Sequence, residues 1–166
     1  RVRGDAWTVF SQTTVTGDFP TGLIVGMAVA EDGTIWLGSE TAEICRFDPD
    51  QERCTAWYAG DPGMAPGPLT NLGLAGDRVI YTTAGNGYAV LENGRWRTVT
   101  DPTSFLLGSR IKALAADDAG NLWVATEAGV QRLTGEEGPV TLFNTENSGI
   151  LPLGVRTLQP GLDGEM

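Results

Sequence analysis

The strongest constraint on the fold is a thirteen-residue frame that recurs along the chain. Its clearest copy spans 111–123, with apolar residues at the first and fourth positions, Asp at the seventh, Gly at the tenth and Leu-Trp at the end. The frame fits without gaps at three further places: 24–36, more loosely 69–81, and, cut short by the end of the chain, 155–166. The aromatic residues that end three copies lie 45 and 42 residues apart: Trp36, Tyr81 and Trp123. A period of about 40–45 residues is typical of β-propeller blades.

Each copy of the frame begins a run of four predicted strands. The frame holds the first two, because apolar, β-branched and aromatic residues flank its Asp/Gly turn. Third strands are predicted at 43–47, 88–91 and 129–133, and fourth strands at 54–58, 95–99 and 140–143. Four short strands per repeat predict an all-β partial propeller of about 13 or 14 antiparallel strands. In it, the three aromatic residues that end the frames should superpose.

One hairpin can be predicted residue by residue. Asn93-Gly94 supplies the positive φ angles that a two-residue primed turn needs. This turn would pair Glu92 with Arg95 and Leu91 with Trp96.

The chain is predicted to be a single propeller segment, because a two-sheet sandwich has no reason to repeat such a frame. Three blades are expected, with one extra strand at each end: 1–20 for the last strand of a preceding blade, 21–60, 68–103 and 108–148 for the blades, and 153–166 for the first strand of a following blade. Because the chain begins at Arg1 and lacks the features of a signal peptide, we expect it to be processed or cut from something longer.

The segment from Ile111 to Gly129, with Val-Ala-Thr after its Leu-Trp, resembles the two-component regulator propeller repeat. The segment from Asn147 to Val155 is similar to the connection between blades in that family. The resemblance implies a propeller of seven or more blades, a bacterial sensory or secreted protein, and a periplasmic or extracellular location. It is weakest at 69–90, where the Asp, Gly and Trp of the frame are absent.

Cys45 and Cys54 fall on the third and fourth strands of one predicted blade. A four-residue loop between Asp48 and Arg53 places Cys45 opposite Ala56, so the two cysteines are diagonal neighbours on one face. The compartment that the resemblance implies would favour a disulfide. The spacing alone leaves the bond open.

The composition excludes several chemistries. There is no histidine, which removes the commonest general base, a common metal ligand and the usual partner of a nucleophilic Ser or Cys. The net charge of −10 argues against nucleic acid as a partner. The longest apolar stretch, 23–30, is far shorter than the roughly 20 residues that cross a bilayer. We therefore expect a protein that is not an enzyme, with no cofactor, no metal site and no membrane span in this segment.

The acidic clusters and the tryptophans have simpler interpretations than a metal or sugar site. Asp48, Asp50 and Glu52 lack the Gly and Glu of a calcium loop and favour a hairpin turn. The Asp117 to Asn121 segment occupies the first turn of a frame, where Asp and Asn bind backbone N–H groups. Trp57 and Trp96 lie on predicted fourth strands and favour packing between blades.

The function predicted from these observations is a non-catalytic scaffold that presents loops to a ligand or protein partner of unknown identity. Loops between second and third strands share one face with the segments between blades, and we expect the binding residues there: Glu40, Asn86, Glu127, Asn144 and Asn147. The opposite rim should hold only tight Asp/Gly turns. Two alternatives remain: a glycan-active enzyme that uses a carboxylate pair, and a structural fragment with no activity of its own. Self-association through exposed end strands, or docking to the rest of a larger propeller, is also predicted.

Overall fold

The computed structural model describes residues 2–3, 6–76, 78–84, 87–99, 111–117, 119–134, 140–150 and 155–159. These residues form fifteen strands, and none of them is helical. The strands are β1 Val2–Arg3, β2 Ala6–Trp7, β3 Thr16–Gly17, β4 Ile24–Val29, β5 Ile35–Ser39, β6 Ile44–Asp48, β7 Arg53–Trp57, β8 Leu69–Ala75, β9 Arg78–Thr83, β10 Tyr88–Glu92, β11 Arg95–Val99, β12 Ala113–Ala116, β13 Leu122–Thr126, β14 Gly129–Leu133 and β15 Val140–Phe143. The predicted all-β class is confirmed.

The described strands form four sheets, and in three of them consecutive strands pair antiparallel, as expected of blades. The first blade is β4–β7, the second is β8–β11 and the third is β12–β15. The N-terminal strands depart from the prediction of a single extra strand: β3 adds to the first blade as a fifth strand, parallel to β7. At the N-terminus β1 and β2 pair with each other. The predicted strand at 153–166 is not seen in its described part, since residues 155–159 form no strand, and that the chain ends belong to neighbouring blades stays a prediction.

The first strands of the blades lie innermost, because β8 contacts both β4 and β12. A residue is bulged out of the ladder near the start of both β4 and β8. The approach of β4 to β8 requires a glycine, since a Cβ on Gly26 would lie 2.7 Å from the backbone nitrogen of Leu72. We define the front of a blade as the face toward the next blade, and the back as the opposite face.

The front of the first blade packs on the back of the second through a chain of four aromatic rings. Trp36 stacks on Trp57 at 5.5 Å, Trp57 meets Trp96 edge-on at 6.1 Å, and Trp96 meets Tyr81 edge-on at 5.1 Å. Edge-to-face and offset stacked pairs add to the stabilisation from burial. The prediction that the fourth-strand tryptophans pack between blades is confirmed.

The second and third blades are joined by a layer that is aliphatic apart from one tyrosine, Tyr88. On the second blade it is built around Ile80 and Val90, and on the third around Leu114 and Val124. The hairpin between β10 and β11 has the predicted register, with Glu92 opposite Arg95 and Leu91 opposite Trp96. Asn93 has a φ of 49° and Gly94 a φ of 74°, as the primed turn requires.

The prediction that Tyr81 superposes on Trp36 and Trp123 is wrong. Ala28 pairs with Trp36 and Ala115 with Trp123, and both rings lie on the fronts of their blades. In the second blade the corresponding front residue is Ile80, while Tyr81 lies on the back among the aromatic rings of the first interface. The turn between first and second strands explains the error. Four residues separate Leu74 from its partner Val79, whereas five separate the partners of the equivalent pairs Val29–Ile35 and Ala116–Leu122, so a gap-free frame is shifted by one position.

The back of the first blade is covered by a segment that we name the N-terminal strap, residues 10–22. Phe10, Val15 and Phe19 of the strap pack on Phe47 and its neighbours. Cys45 and Cys54 lie beneath the strap and are joined by a disulfide. Cys45 pairs with Ala56 in the ladder, as predicted.

The hairpin turn after β6 also has its predicted structural role. Asp48 pairs with Arg53, and its Oδ1 accepts hydrogen bonds from the backbone N–H groups of Asp50 and Gln51 at 2.9 and 3.0 Å. Among the residues that the structure describes, no helix is long and apolar enough to cross a membrane.

Candidate functional site

The loops expected to bind a ligand lie on one rim of the blade stack. We name this the loop rim and define it by its described residues: the loops 40–43 and 127–128, residues 84 and 87, and the segments 58–68 and 144–150. Its members contact the starts of the innermost strands. Glu40 N–H donates to the Leu23 carbonyl at 2.9 Å, and Ala84 N–H donates to the Pro68 carbonyl at 3.1 Å. The loops that connect the second to the third strand of a blade are thus held on a rigid scaffold, which is the usual setting of binding loops.

The structure places four of the five predicted site residues on the loop rim. Glu40, Glu127 and Asn147 are exposed, and Asn144 is half-buried. Asn86 lies outside the described residues. The glutamates belong to the first and third blades, whereas the two asparagines are brought together in one segment. A shared binding role for these residues stays a prediction.

Asn144 and Asn147 build the turn on which they lie. The Asn144 Oδ1 accepts from the N–H groups of Glu146 and Asn147 at 2.9 and 3.2 Å. In return, the Asn147 Oδ1 accepts from Asn144 N–H at 2.9 Å, and its Nδ2 donates to the Leu142 carbonyl at 2.8 Å. Asn side chains commonly stabilise turns in this way. Their amides therefore position the segment, while Glu40 and Glu127 present exposed carboxylates.

Glu43 is the rim residue that the sequence reasoning missed. Its carboxylate accepts from the Thr21 N–H and hydroxyl at 2.8 and 2.7 Å and from the Gly22 N–H at 3.1 Å. The hydroxyls of Ser39 and Thr41 donate to the same carboxylate, each at 3.1 Å. Burial opposes ionisation, but these hydrogen bonds outweigh it and lower the pKa of Glu43 to about 2. Ser39 and Thr41 are near Glu43 in sequence, but only the fold brings Thr21 and Gly22 to it.

The segment 58–68 serves the core as much as the rim. Met64 and Ala65 are buried between the first two blades. The Tyr81 hydroxyl donates to the Ala65 carbonyl at 3.2 Å and accepts from Ala65 N–H at 2.5 Å. Burial raises the pKa of Tyr81 to about 12, so its hydroxyl stays protonated. Asp61 accepts from Tyr58 N–H at 2.8 Å and closes the start of the segment.

The loop rim is acidic. The ionisable residues of its described part are all carboxylates apart from Tyr58, and none of these residues is Lys or Arg: Glu40, Glu43, Asp61, Glu127 and Glu146. The exposed Lys112, just before β12, lies outside the residues that define the loop rim. Such a surface attracts cations and repels anions.

The opposite rim holds more than tight turns. A cleft of about 430 Å³ lies between the first turn of the first blade and the short turn of the second. It is lined by Asp32, Trp36, Arg46 and Leu74, among others. Asp32 and Arg46 form an ion pair at 3.5 Å, and both side chains are more than half exposed. A backbone hydrogen bond from Thr34 is the main cause that lowers the pKa of Asp32.

The frame in the third blade shows what its Asp and Trp do. The Asp117 carboxylate accepts from the Asn121 N–H and side-chain amide and from the Trp123 indole N–H, each at 2.8 Å. Trp123 stacks on Phe143 at 5.4 Å, and Arg132 lies over its ring at 5.7 Å. The predicted structural role of the Asp117 to Asn121 turn is confirmed.

Comparison with known proteins tests the family resemblance. Residues 106–128 match the model of the two component regulator propeller. This segment is therefore similar to a two component regulator propeller repeat, as the sequence suggested. The sequence matches no curated protein.

Solved structures show the same fold at low sequence identity. One is described as the extracellular domain of the putative hybrid two component system BT3049 from B. thetaiotaomicron, with a TM-score of 0.59 and 14% identity. The match covers 71% of this chain and 16% of that one, so the chain spans only a small part of that domain. Another is the computationally designed Ika4 protein, with a TM-score of 0.63, 14% identity, and coverage of 90% and 86%. At this level of identity, both likenesses concern the fold alone.

Three carboxylates of the described residues, those of Asp32, Glu43 and Asp117, are held in the ionised form by hydrogen bonds. The pKa is lowered at Asp32, Glu43 and Asp117, so all three are ionised at neutral pH. A glycosidase needs one carboxylic acid whose pKa is raised. These three groups are therefore suited to structure or to binding cations rather than to general acid catalysis.

Proposed function

We propose that this chain is part of a sensory β-propeller that binds a ligand or a protein partner at its loop rim and performs no catalysis. The observation that carries the proposal is the match of residues 106–128 to the two component regulator propeller. The β13–β14 loop within this segment exposes Glu127, which supports a role of this residue in binding. The rigid attachment of the rim loops to the innermost strands supports a binding role.

The chemistry of the rim favours a cationic or neutral polar ligand. Glu40 and Glu127 are exposed on different blades, and the described loops add no positive charge. An anionic ligand would have to overcome this repulsion in addition to the cost of ordering the loops. We therefore propose amines or polyhydroxy compounds as ligand classes, ahead of carboxylates and phosphates.

The proposed location is the periplasm or the outside of the cell. The disulfide between Cys45 and Cys54 supports an oxidising compartment. Expression in the periplasm should give a protein without free thiols.

Thermal shift tests the binding role, because a ligand that binds only the folded state raises the melting temperature. The probes are spermidine as a cation, maltotriose as a neutral polyol and citrate as an anion. We expect spermidine or maltotriose to stabilise the protein, and citrate to have no effect. Glu40→Gln and Glu127→Gln should reduce the shift without changing the melting temperature of the free protein.

Glu31→Gln is the matched control, since Glu31 is exposed but lines the cleft on the opposite rim. Loss of the shift in Glu31→Gln with retention in the rim variants would move the site to that rim. Turnover of glycan substrates by the purified protein would contradict the non-catalytic part of the proposal.

A further inference from the structure

The two ends of the blade stack expose complementary faces. On the back of the first blade, the innermost strand β4 carries Met27 and Val29, which are 64% and 60% exposed. The N-terminal strap covers only the outer strands of that face, because its apolar side chains pack on β5, β6 and β7. An apolar cleft of about 410 Å³ remains beside Met27, between Phe10, Phe19 and Phe47.

The same positions are covered in the other two blades. By the strand register, Met27 and Val29 correspond to Leu72 and Leu74 of the second blade, and Met27 corresponds also to Leu114 of the third. Leu72 packs against the front of the first blade, and Leu114 packs against the front of the second. The exposed part of β4 thus corresponds to the position that receives the front of the preceding blade in the second and third blades.

The third blade offers such a front. Trp123 stacks on Phe143 at 5.4 Å and 20°, nearly the geometry of Trp36 on Trp57 in the first blade, 5.5 Å and 23°. An arginine pairs with the tryptophan in each register, Arg46 with Trp36 and Arg132 with Trp123. The front of the first blade is covered by the second blade, whereas the rings of the third-blade front are only half-buried.

The segments that cover the two end faces leave complementary parts of them exposed. On the third-blade front the innermost strand is covered, since Ala113 is 0% and Ala115 8% exposed, and the cluster of Ala113 includes Val155 and Leu158. On the first-blade back it is the outer strands that are covered. The segment 155–159 of one molecule can therefore lie over the open β4 of another, beside that molecule's strap.

We propose that a second copy of this chain docks head to tail, with the third-blade front and residues 155–159 of one copy on the first-blade back of the next. The contact continues the packing that joins the blades within the chain. It is heterologous, so repetition gives a closed ring if the rotation permits. Because the net charge is −10, added salt strengthens the association by screening repulsion.

Sedimentation velocity of the full 166-residue chain at rising concentration and at low and high salt tests this proposal. The wild type is expected to form an oligomer of defined size. Met27→Glu disables the receiving face, and Thr157→Glu disables the inserting face; both residues are solvent-accessible, so the fold is retained. Each substitution should lower the association constant at least about tenfold. Ala119→Glu, an exposed turn residue of the third blade, is the matched control and should assemble like the wild type.

Mixing the two disabled variants distinguishes this contact from others. One receiving face and one inserting face remain intact in the mixture, so only a dimer with one copy of each variant should form. A monomeric wild type at high concentration and high salt would overturn the proposal. Assembly that Met27→Glu abolishes and Thr157→Glu leaves intact would indicate a symmetric back-to-back contact and would overturn it too.

Discussion

The two faces of the first blade are buried by different means. Its front meets a whole sheet, and the contact is made by large side chains such as Trp36 and Trp57 packed on the second blade. Its back meets only the strap, residues 10–22, and there the structure adds a disulfide and the hydrogen-bonded carboxylate of Glu43. No such cross-link is present among the described residues of the front interface.

The difference shows how the means of stabilisation depends on the area available. Two sheets in contact bury enough apolar surface for packing to suffice, at about 25 cal/mol per Å². A single strap buries far less apolar surface than a whole sheet does. The entropy cost of ordering each strap residue is nevertheless about the same as for a residue of a sheet. The disulfide cross-links the two strands on which the strap packs, and the Glu43 carboxylate binds the strap itself through charged hydrogen bonds from Thr21 and Gly22. Substitutions at each contact can therefore break or sharpen this contrast.

The largest effect is expected at the front interface. Tyr81→Ala should lower the free energy of unfolding by about 3–5 kcal/mol, because it leaves a cavity between two blades. Tyr81→Phe should cost about 1–2 kcal/mol, since Ala65 then lacks its hydroxyl partner. Urea unfolding measures both. Trp7→Ala is the control, because Trp7 is 80% exposed and its loss should change stability by less than about 0.5 kcal/mol.

The disulfide on the back face should contribute less. Its cysteines are nine residues apart, and closing so short a loop stabilises by about 2–3 kcal/mol in the chain-entropy model. Reduction should therefore lower the urea midpoint of the wild type, and the Cys45→Ala, Cys54→Ala double variant should be insensitive to reductant. When the disulfide is reduced, the rate of amide hydrogen exchange should increase at Val15 of the strap before it increases at Tyr81. Equal thiol titration with and without reductant would exclude the bond.

Glu43 should show a smaller and pH-dependent effect. Folding lowers its pKa from 4.5 to about 2, so its contribution is full above pH 4.5 and is lost as the pH falls toward 2. Glu43→Gln should cost about 1–2 kcal/mol at pH 7. The difference from wild type should shrink between pH 4.5 and 2 in unfolding curves. Glu40→Gln, on the same rim and exposed, should show neither change; a pH-independent difference for Glu43→Gln would refute the assignment.

The smallest expected changes in stability distinguish rim residues that hold the loops in place from rim residues that are only exposed on them. Asn147→Ala should lower stability by about 0.5–1 kcal/mol, because its amide ties the turn to Leu142. Glu127→Ala should stay within about 0.5 kcal/mol. Thermal unfolding of both variants checks the order. A larger loss for Glu127 than for Asn147 would show that the glutamate is structural.

Local patterns in the chain predicted several contacts of the fold correctly. The Asn93-Gly94 turn and the four-residue loop after Asp48 each set a hairpin register, because turn length determines which residues face each other. The placement of Tyr81 failed for the same reason. The frame assumed equal turns in all blades, and the shorter turn after Ala75 moved Tyr81 to the other face.

The candidate site was less predictable from sequence than the fold. The rim followed from the alternation of strand direction, so Glu40 and Glu127 could be placed there. That Asn144 and Asn147 use their amides to hold a turn depends on local geometry that composition does not specify. Glu43 could not be identified, because its strap partners Thr21 and Gly22 lie more than twenty residues away.

The sequence by itself determined the repeat, the four strands of each blade and the acidic, histidine-free character of the chain, because strand periodicity and turn chemistry are local properties. Only the tertiary structure decided which face each aromatic residue takes, how the strap and Glu43 close the back of the first blade, and that Met27 and Val29 are left open. These features depend on contacts between segments distant in sequence, where a shift of one residue in register exchanges the buried and exposed faces of a strand.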